Sequence, residues 1–279
     1  MKLNAFLIHA VGIALAATAP AQAAQKDTVA ELISKAGNSK LIFVGEMHGT
    51  REVPALVADL AQRLAEPGAP GLVVALEYPQ TDAAQLKAYF DGDGSAVAKK
   101  QLLDSPFWSR AAQDGRSSHA MLALIESVRM QARSGRKIQL AAFDMNASQE
   151  KSGVSRDQSM AENLRAIIEA NPSARVIALT GNYHARQADG APWNPKHRFM
   201  AGYMKDLKPY SINVEALRGS YWACSSGKAA DCMVITYGVD PALKRSVGLY
   251  ADQALTSIGY AQGLTLEQFS VSLPAVRAQ

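Results

Sequence analysis

The chain has 279 residues, 48% of them hydrophobic, with 29 Lys and Arg against 25 Asp and Glu and a formal charge of +4. That length supports one sizeable hydrophobic core. The basic residues are scattered among acids and form no clustered face, which argues against nucleic acid as a partner.

In chain order, Lys2 is followed by an apolar run at residues 5–17 and by Ala21-Gln22-Ala23. This is the pattern of a cleaved signal peptide over residues 1–23, and the run is too short to span a bilayer permanently. No later run is long enough to cross a membrane, so residues 24–279 are expected to be one exported domain, periplasmic or secreted, without an integral membrane segment.

Short β-rich apolar runs follow at residues 41–45, 71–77, 137–144, 175–181, 211–215 and 232–237. Such continuous runs suit strands covered on both faces. Between them, residues 53–66, 118–134 and 156–170 place Leu, Ile, Val and Met at helical spacing. The alternation predicts an α/β fold, a three-layer α/β/α sandwich with a mainly parallel central sheet. Residues 80–117 are too long for an ordinary connection and read as a helical insertion after the second strand, placed to cap a pocket. Residues 185–205 read as a second long loop, where His197 is a candidate pocket residue. His119 opens a helical stretch and reads as structural or exposed. The only cysteines, Cys224 and Cys232, flank a Ser-Ser-Gly segment, and in an oxidising compartment they are expected to close a disulfide across a hairpin tip or short loop.

In an open α/β sheet ligands bind beyond the carboxyl ends of the strands. Polar residues collect there: Glu46 and His48 after the first run, Glu77 and Tyr78 after the second, Asp144 after the third, Tyr183 and His184 after the fourth, Glu215 after the fifth. Two of these ends share the form Gly-x-x-His, at Gly45 and at Gly181, where glycine is expected to permit a sharp turn. An imidazole beside carboxylates can activate water, the carboxylate fixing its tautomer. The expected catalytic set is His48, Glu46, Glu77 and His184, with His48 as base and His184 assisting the leaving group or oxyanion. Arg51, Arg156, Tyr78, Tyr183 and Asp144 are the expected substrate-binding residues, and Arg51 or Arg156 could also steady the oxyanion. On this reading His48→Ala removes activity and leaves the thermal melt nearly unchanged. The signatures of a serine α/β-hydrolase, a P-loop, a zincin or a dinucleotide-binding fold are absent from the sequence. A divalent metal held by His48, His184 and a carboxylate is chemically sensible but less favoured.

Three ordered segments resemble a known superfamily. Residues 45–52 (GEMHGTRE) look like the first signature of erythromycin-esterase-like proteins. Residues 156–163 (RDQSMAEN) are similar to a helix motif shared with ChaN-type haem-binding proteins. Residues 181–184 (GNYH) look like the second Gly-x-x-His of the same group, which also includes the TIKI and TraB proteins. The resemblance implies an α/β fold with a strand-end pocket and carries functional positions onto His48, Glu77 and His184, with Glu46 in the first signature. It leaves three activities open: hydrolysis of an ester, lactone or amide without metal, haem binding in iron uptake with Tyr78 or Tyr183 as iron ligand, and metal-dependent hydrolysis. The partner is accordingly a small-molecule substrate or haem.

Overall fold

The computed structural model describes residues 19–276. The positive start and apolar run of the expected leader lie outside the described residues. The elements in order are α1 (Ala19–Ala36), β1 (Leu41–Glu46), α2 (Glu52–Leu64), β2 (Leu72–Pro79), α3 (Ala83–Asp91), α4 (Ala96–Leu103), α5 (Pro106–Ser109), α6 (His119–Arg133), β3 (Ile138–Asp144), α7 (Ala147–Lys151), α8 (Arg156–Ala170) and β4 (Arg175–Gly181). A 3-10 segment (Met200–Leu207) then leads to β5 (Tyr210–Cys224), β6 (Cys232–Gly238), β7 (Gly248–Tyr250), α9 (Gln253–Ser257) and β8 (Gln262–Phe269).

The strands make one sheet in the order β3-β2-β4-β1-β5-β8-β7, with β6 paired to β5. Every pair from β3 through to β8 in that order is parallel, while β5–β6 and β7–β8 are antiparallel. Side chains alternate across the sheet as the strand period requires. Ile42, Val44, Leu72, Val74 and Leu76 pack with α1, α2 and α6 on one face, and Leu41, Phe43, Val73 and Ala75 pack with α8 and the 3-10 segment on the other. The three-layer α/β arrangement expected from the sequence is therefore present. No helix among the described residues is long and apolar enough to cross a membrane.

Three features differ from the sequence reading. β5 runs nine residues past the expected end, because its second half leaves the parallel sheet and pairs with β6 as a hairpin closed by a Cys224–Cys232 disulfide. β7 and β8 were not foreseen: β7 is three residues long, and β8 (QGLTLEQF) mixes polar with apolar residues because its outer half is partly exposed. The insertion after β2 is helical, as expected, but it is not chiefly a lid. Leu86, Tyr89, Leu102, Phe107 and Trp108 bury their side chains in the core, and only its C-terminal end reaches the strand ends.

Candidate active site

β1 and β4 are neighbours with Glu46 opposite Gly181, so the two Gly-x-x-His segments leave the sheet side by side. Neither Gly45 nor Gly181 has a positive φ. Close approach, not a sharp turn, is what requires glycine here. A Cβ on Gly45 would sit 3.1 Å from Asn182 Cα, and one on Gly181 would sit 3.0 Å from His48 Nε2.

His48 Nδ1 lies 2.8 Å from Glu46 Oε1, and Nε2 lies 3.6 Å from Glu77 Oε2. Both carboxylates are buried. Burial alone would lower the His48 pKa, but the facing Glu77 and the Glu46 hydrogen bond overcome it and raise it to about 10. The resting ring is thus an imidazolium. Burial pushes Glu46 up, against the pull of His48. Glu77 Oε2 accepts from Thr180 Oγ1 and Gly181 N, each at 2.7 Å, and Oε1 accepts from Arg156 at 2.6 Å and Arg116 at 3.3 Å. Burial would raise Glu77 too; the charges of Arg156 and His48 outweigh it and hold the carboxyl well below its usual range.

His184 is held differently. Its Nδ1 is 2.6 Å from Asp157 Oδ1 and its Nε2 is 3.1 Å from Arg156 Nη1. A guanidinium only donates, so Nε2 accepts and the proton sits on Nδ1, facing Asp157. Both ring nitrogens are committed. The ring orients Arg156, and in this tautomer its Nε2 carries no proton. Asp157 also takes His197 Nε2 at 3.0 Å and the Met200 amide at 2.8 Å.

The arginines bind this layer together. Arg156 donates to both oxygens of Asp144 at 2.7 and 2.9 Å. Arg116 donates to Asp144 at 2.7 Å and grips Asp114 through Nε and Nη2. Ser155 caps α8 by accepting from Gln158 N, which starts the helix at Arg156 and sets Arg156 and Asp157 in its first turn.

Glu46, His48, Glu77, Arg156, Tyr183 and His184 all line one cavity of about 570 Å³, together with Asp114, Arg116, Arg186 and Tyr221. Three expected substrate-binding residues do not. Arg51 lies on the surface beside α2, donates to Val271 O at 3.0 Å and borders a separate groove with His119. Tyr78 follows Glu77 and so points to the opposite face of the sheet, where its hydroxyl accepts from Trp108 Nε1 at 3.0 Å in the core. Asp144 stands behind the two arginines instead of in the wall. Glu215 lies within β5 and is paired with Arg245 at 2.8 Å, outside the site. The sequence reading missed Arg116, Asp114 and Asp157. The first two lie in an irregular loop with no periodicity to read; Asp157, beside Arg156 in the quoted helix motif, was visible only as a first-turn acid.

The guanidiniums of Arg116 and Arg156 lie between Glu77 and Asp144, and among the described residues no group of three His, Cys, Asp or Glu is placed to hold a metal ion. As a haem-iron ligand Tyr78 is out of reach of the cavity, which leaves Tyr183.

The His48 environment makes stability pH-dependent. The folded pKa of His48 is raised, so its contribution is complete below the unfolded value of about 6.5 and is lost as pH rises to about 10. The raised Glu46 acts in the same direction above its own unfolded value, whereas the depressed Glu77 contributes above about pH 4.5 and loses that contribution only as pH falls through its lower folded value. The urea midpoint should be highest near about pH 5–6 and decline steadily to about pH 10. A midpoint that stays level across the alkaline range would mean that His48 is not held protonated.

Strand order and strand-end pocket together define a three-layer α/β protein with a His–Glu centre. No protein-family model matches the sequence, and no curated protein matches it. Solved structures share the fold. A mutant erythromycin esterase, EreC, in its open conformation aligns over 89% of this chain and 95% of its own, with 12% identity and a TM-score of 0.67. A succinoglycan biosynthesis protein aligns over 87% and 91%, with 13% identity and a TM-score of 0.65. A protein from Bacillus cereus aligns over 90% and 94%, with 12% identity and a TM-score of 0.60. At these identities the likeness is one of fold.

Proposed function

We propose that this chain is an exported hydrolase in which His48 carries the proton of a water attacking an ester, lactone or amide carbonyl. One observation carries the reading: an imidazole in a cavity wall, 2.8 Å from one buried carboxylate and 3.6 Å from a second. The shared fold with an erythromycin esterase supports it. The leader pattern and the disulfide support export.

In the proposed step the neutral form of His48 takes a proton from water on Nε2 as the water oxygen bonds to the carbonyl carbon. The bond to the leaving oxygen or nitrogen then breaks, and Nε2 returns the proton to the departing atom. Glu46 holds the Nδ1–H tautomer throughout. Arg156, oriented by His184 and Asp144, supplies positive charge to the developing oxyanion. Because His48 rests as an imidazolium, its base form is the minor one at neutral pH. The rate constant kcat/KM for a 4-nitrophenyl ester should therefore rise about tenfold per pH unit and level off near pH 10. Turnover that is flat between about pH 6 and pH 9 would remove His48 as the base. Haem binding is a weaker alternative that rests on Tyr183 alone, in a cavity whose charged walls suit a polar ligand better than a macrocycle.

A further inference from the structure

Three arginines line the cavity. Two are ion-paired within the protein: Arg116 with Asp114, Glu77 and Asp144, and Arg156 with Glu77 and Asp144. The third, Arg186, has no ion-pair partner among the described residues, and its Nε is buried without a hydrogen-bond partner. Yet the group is held in place. Its guanidinium carbon lies 4.2 Å from the centroid of the Tyr183 ring and 5.8 Å from that of Phe199. The Tyr260 hydroxyl, which donates to the Asn182 carbonyl, lies within interaction range of the guanidinium as well. Arg186 also stands two residues after His184, on the loop that forms the same wall.

A guanidinium stacked on aromatic rings keeps its edge N–H groups for a planar acceptor, and a carboxylate matches that fork. A cavity-facing cation that is ordered in advance and left without a protein counter-charge is the arrangement of a ligand anion site, because the ordering cost is met before binding. We propose that Arg186 recognises an anionic group on the substrate, so that the preferred substrates are acyl compounds carrying a carboxylate a few bonds from the scissile carbonyl. This rests on the hydrolase reading for its catalytic half and on Arg186 alone for its binding half.

Two esters separate these. The butyrate 4-nitrophenyl ester and the succinate mono-4-nitrophenyl ester share a leaving group and a chain length and differ in one terminal carboxylate. Wild type should favour the succinate ester in kcat/KM. Arg186→Gln should lower the succinate-to-butyrate ratio about tenfold or more, the size expected for a charge-assisted hydrogen bond. Arg186→Glu should invert the preference, and Arg186→Lys should restore part of it. A ratio that moves less than about twofold in both Gln and Glu variants overturns the proposal; a purely structural arginine would change both rates together. If neither ester is turned over, the hydrolase reading fails, and binding decides the inference separately. Monomethyl succinate should then raise the melt of wild type, methyl butyrate should not, and Arg186→Gln should abolish the difference while Arg186→Lys retains it. Absence of any succinate-specific shift in wild type overturns the proposal on its own.

Discussion

Replacing His48 by glutamine is expected to lower kcat/KM for ester hydrolysis by about 10³-fold, within the range for removing a general base. Glutamine can still donate one N–H to a neighbouring carboxylate, so it removes proton transfer while keeping part of the packing. Alanine is a poorer choice, because it leaves Glu46 and Glu77 without the ring between them. The His48 imidazolium is the counter-charge for buried Glu46, and it adds to Arg156 in compensating Glu77. Removing the ring leaves two carboxylates to repel each other, and burial then favours a protonated Glu46. The glutamine variant should therefore be less stable than wild type at about pH 6, where the His48 contribution is complete, and the deficit should shrink towards about pH 10 as wild type loses that contribution. Activity should not return with it. Urea titrations at the two pH values and initial rates at both check this pair of results. A variant that hydrolyses esters within about tenfold of the wild-type rate would end the assignment of His48 as the base.

Replacing Arg116 by methionine is expected to cost about 3–5 kcal/mol of stability. The side chain is 16% exposed and contributes to three carboxylates, of Asp114, Glu77 and Asp144. A broken buried ion pair costs this much because a charge remains with its counter-ion gone, not because the intact pair is worth that much. Methionine keeps the approximate length and apolar stem, so packing loss is small and charge loss dominates. For a chain of this size the melt should drop by roughly 10 °C. Arg116→Lys should recover only part of the loss, because an ammonium cannot hold Asp114 with two parallel bonds while reaching Asp144. The same change has a kinetic consequence. With less positive charge beside it, Glu77 pulls harder on the His48 proton, so the rising limb of the pH–rate profile should move to higher pH. A loss below about 1 kcal/mol, with the limb unmoved, would show that Arg116 lies outside the charge network.

The chemistry-bearing residues of β1, β2 and β4 were legible from the sequence because each stands next to a β-rich apolar run, and runs of that kind end where a sheet ends. Glu46, His48, Glu77 and His184 follow from that rule alone, and the cavity collects all four. Tyr78 and Asp144 were read by the same rule and went elsewhere. For Tyr78 the reason was available in the sequence: adjacent strand residues face opposite ways, so Glu77 and Tyr78 could not both enter one pocket. For Arg51 it was not, since nothing local says that the chain after His48 carries it to the outer surface beside the C-terminal segment at Val271.

The apolar runs and helical spacing, by themselves, set the α/β class, the insertion after β2, and the hairpin tip closed by Cys224 and Cys232, because these depend on contacts near in sequence or on side-chain period. Strand order was a tertiary matter. Only the packing of β4 between β1 and β2 sets Glu77 against Gly181 and His48, and only the fold of the insertion returns Arg116 from residue 77's far side to join Arg156 over the same carboxylates. Charge balance among groups distant in the chain, and hence which imidazole stands between two carboxylates, which is clamped and which arginine has no ion-pair partner among the described residues, is a property of that assembled layer. It depends on distances of a few ångströms that no local pattern encodes.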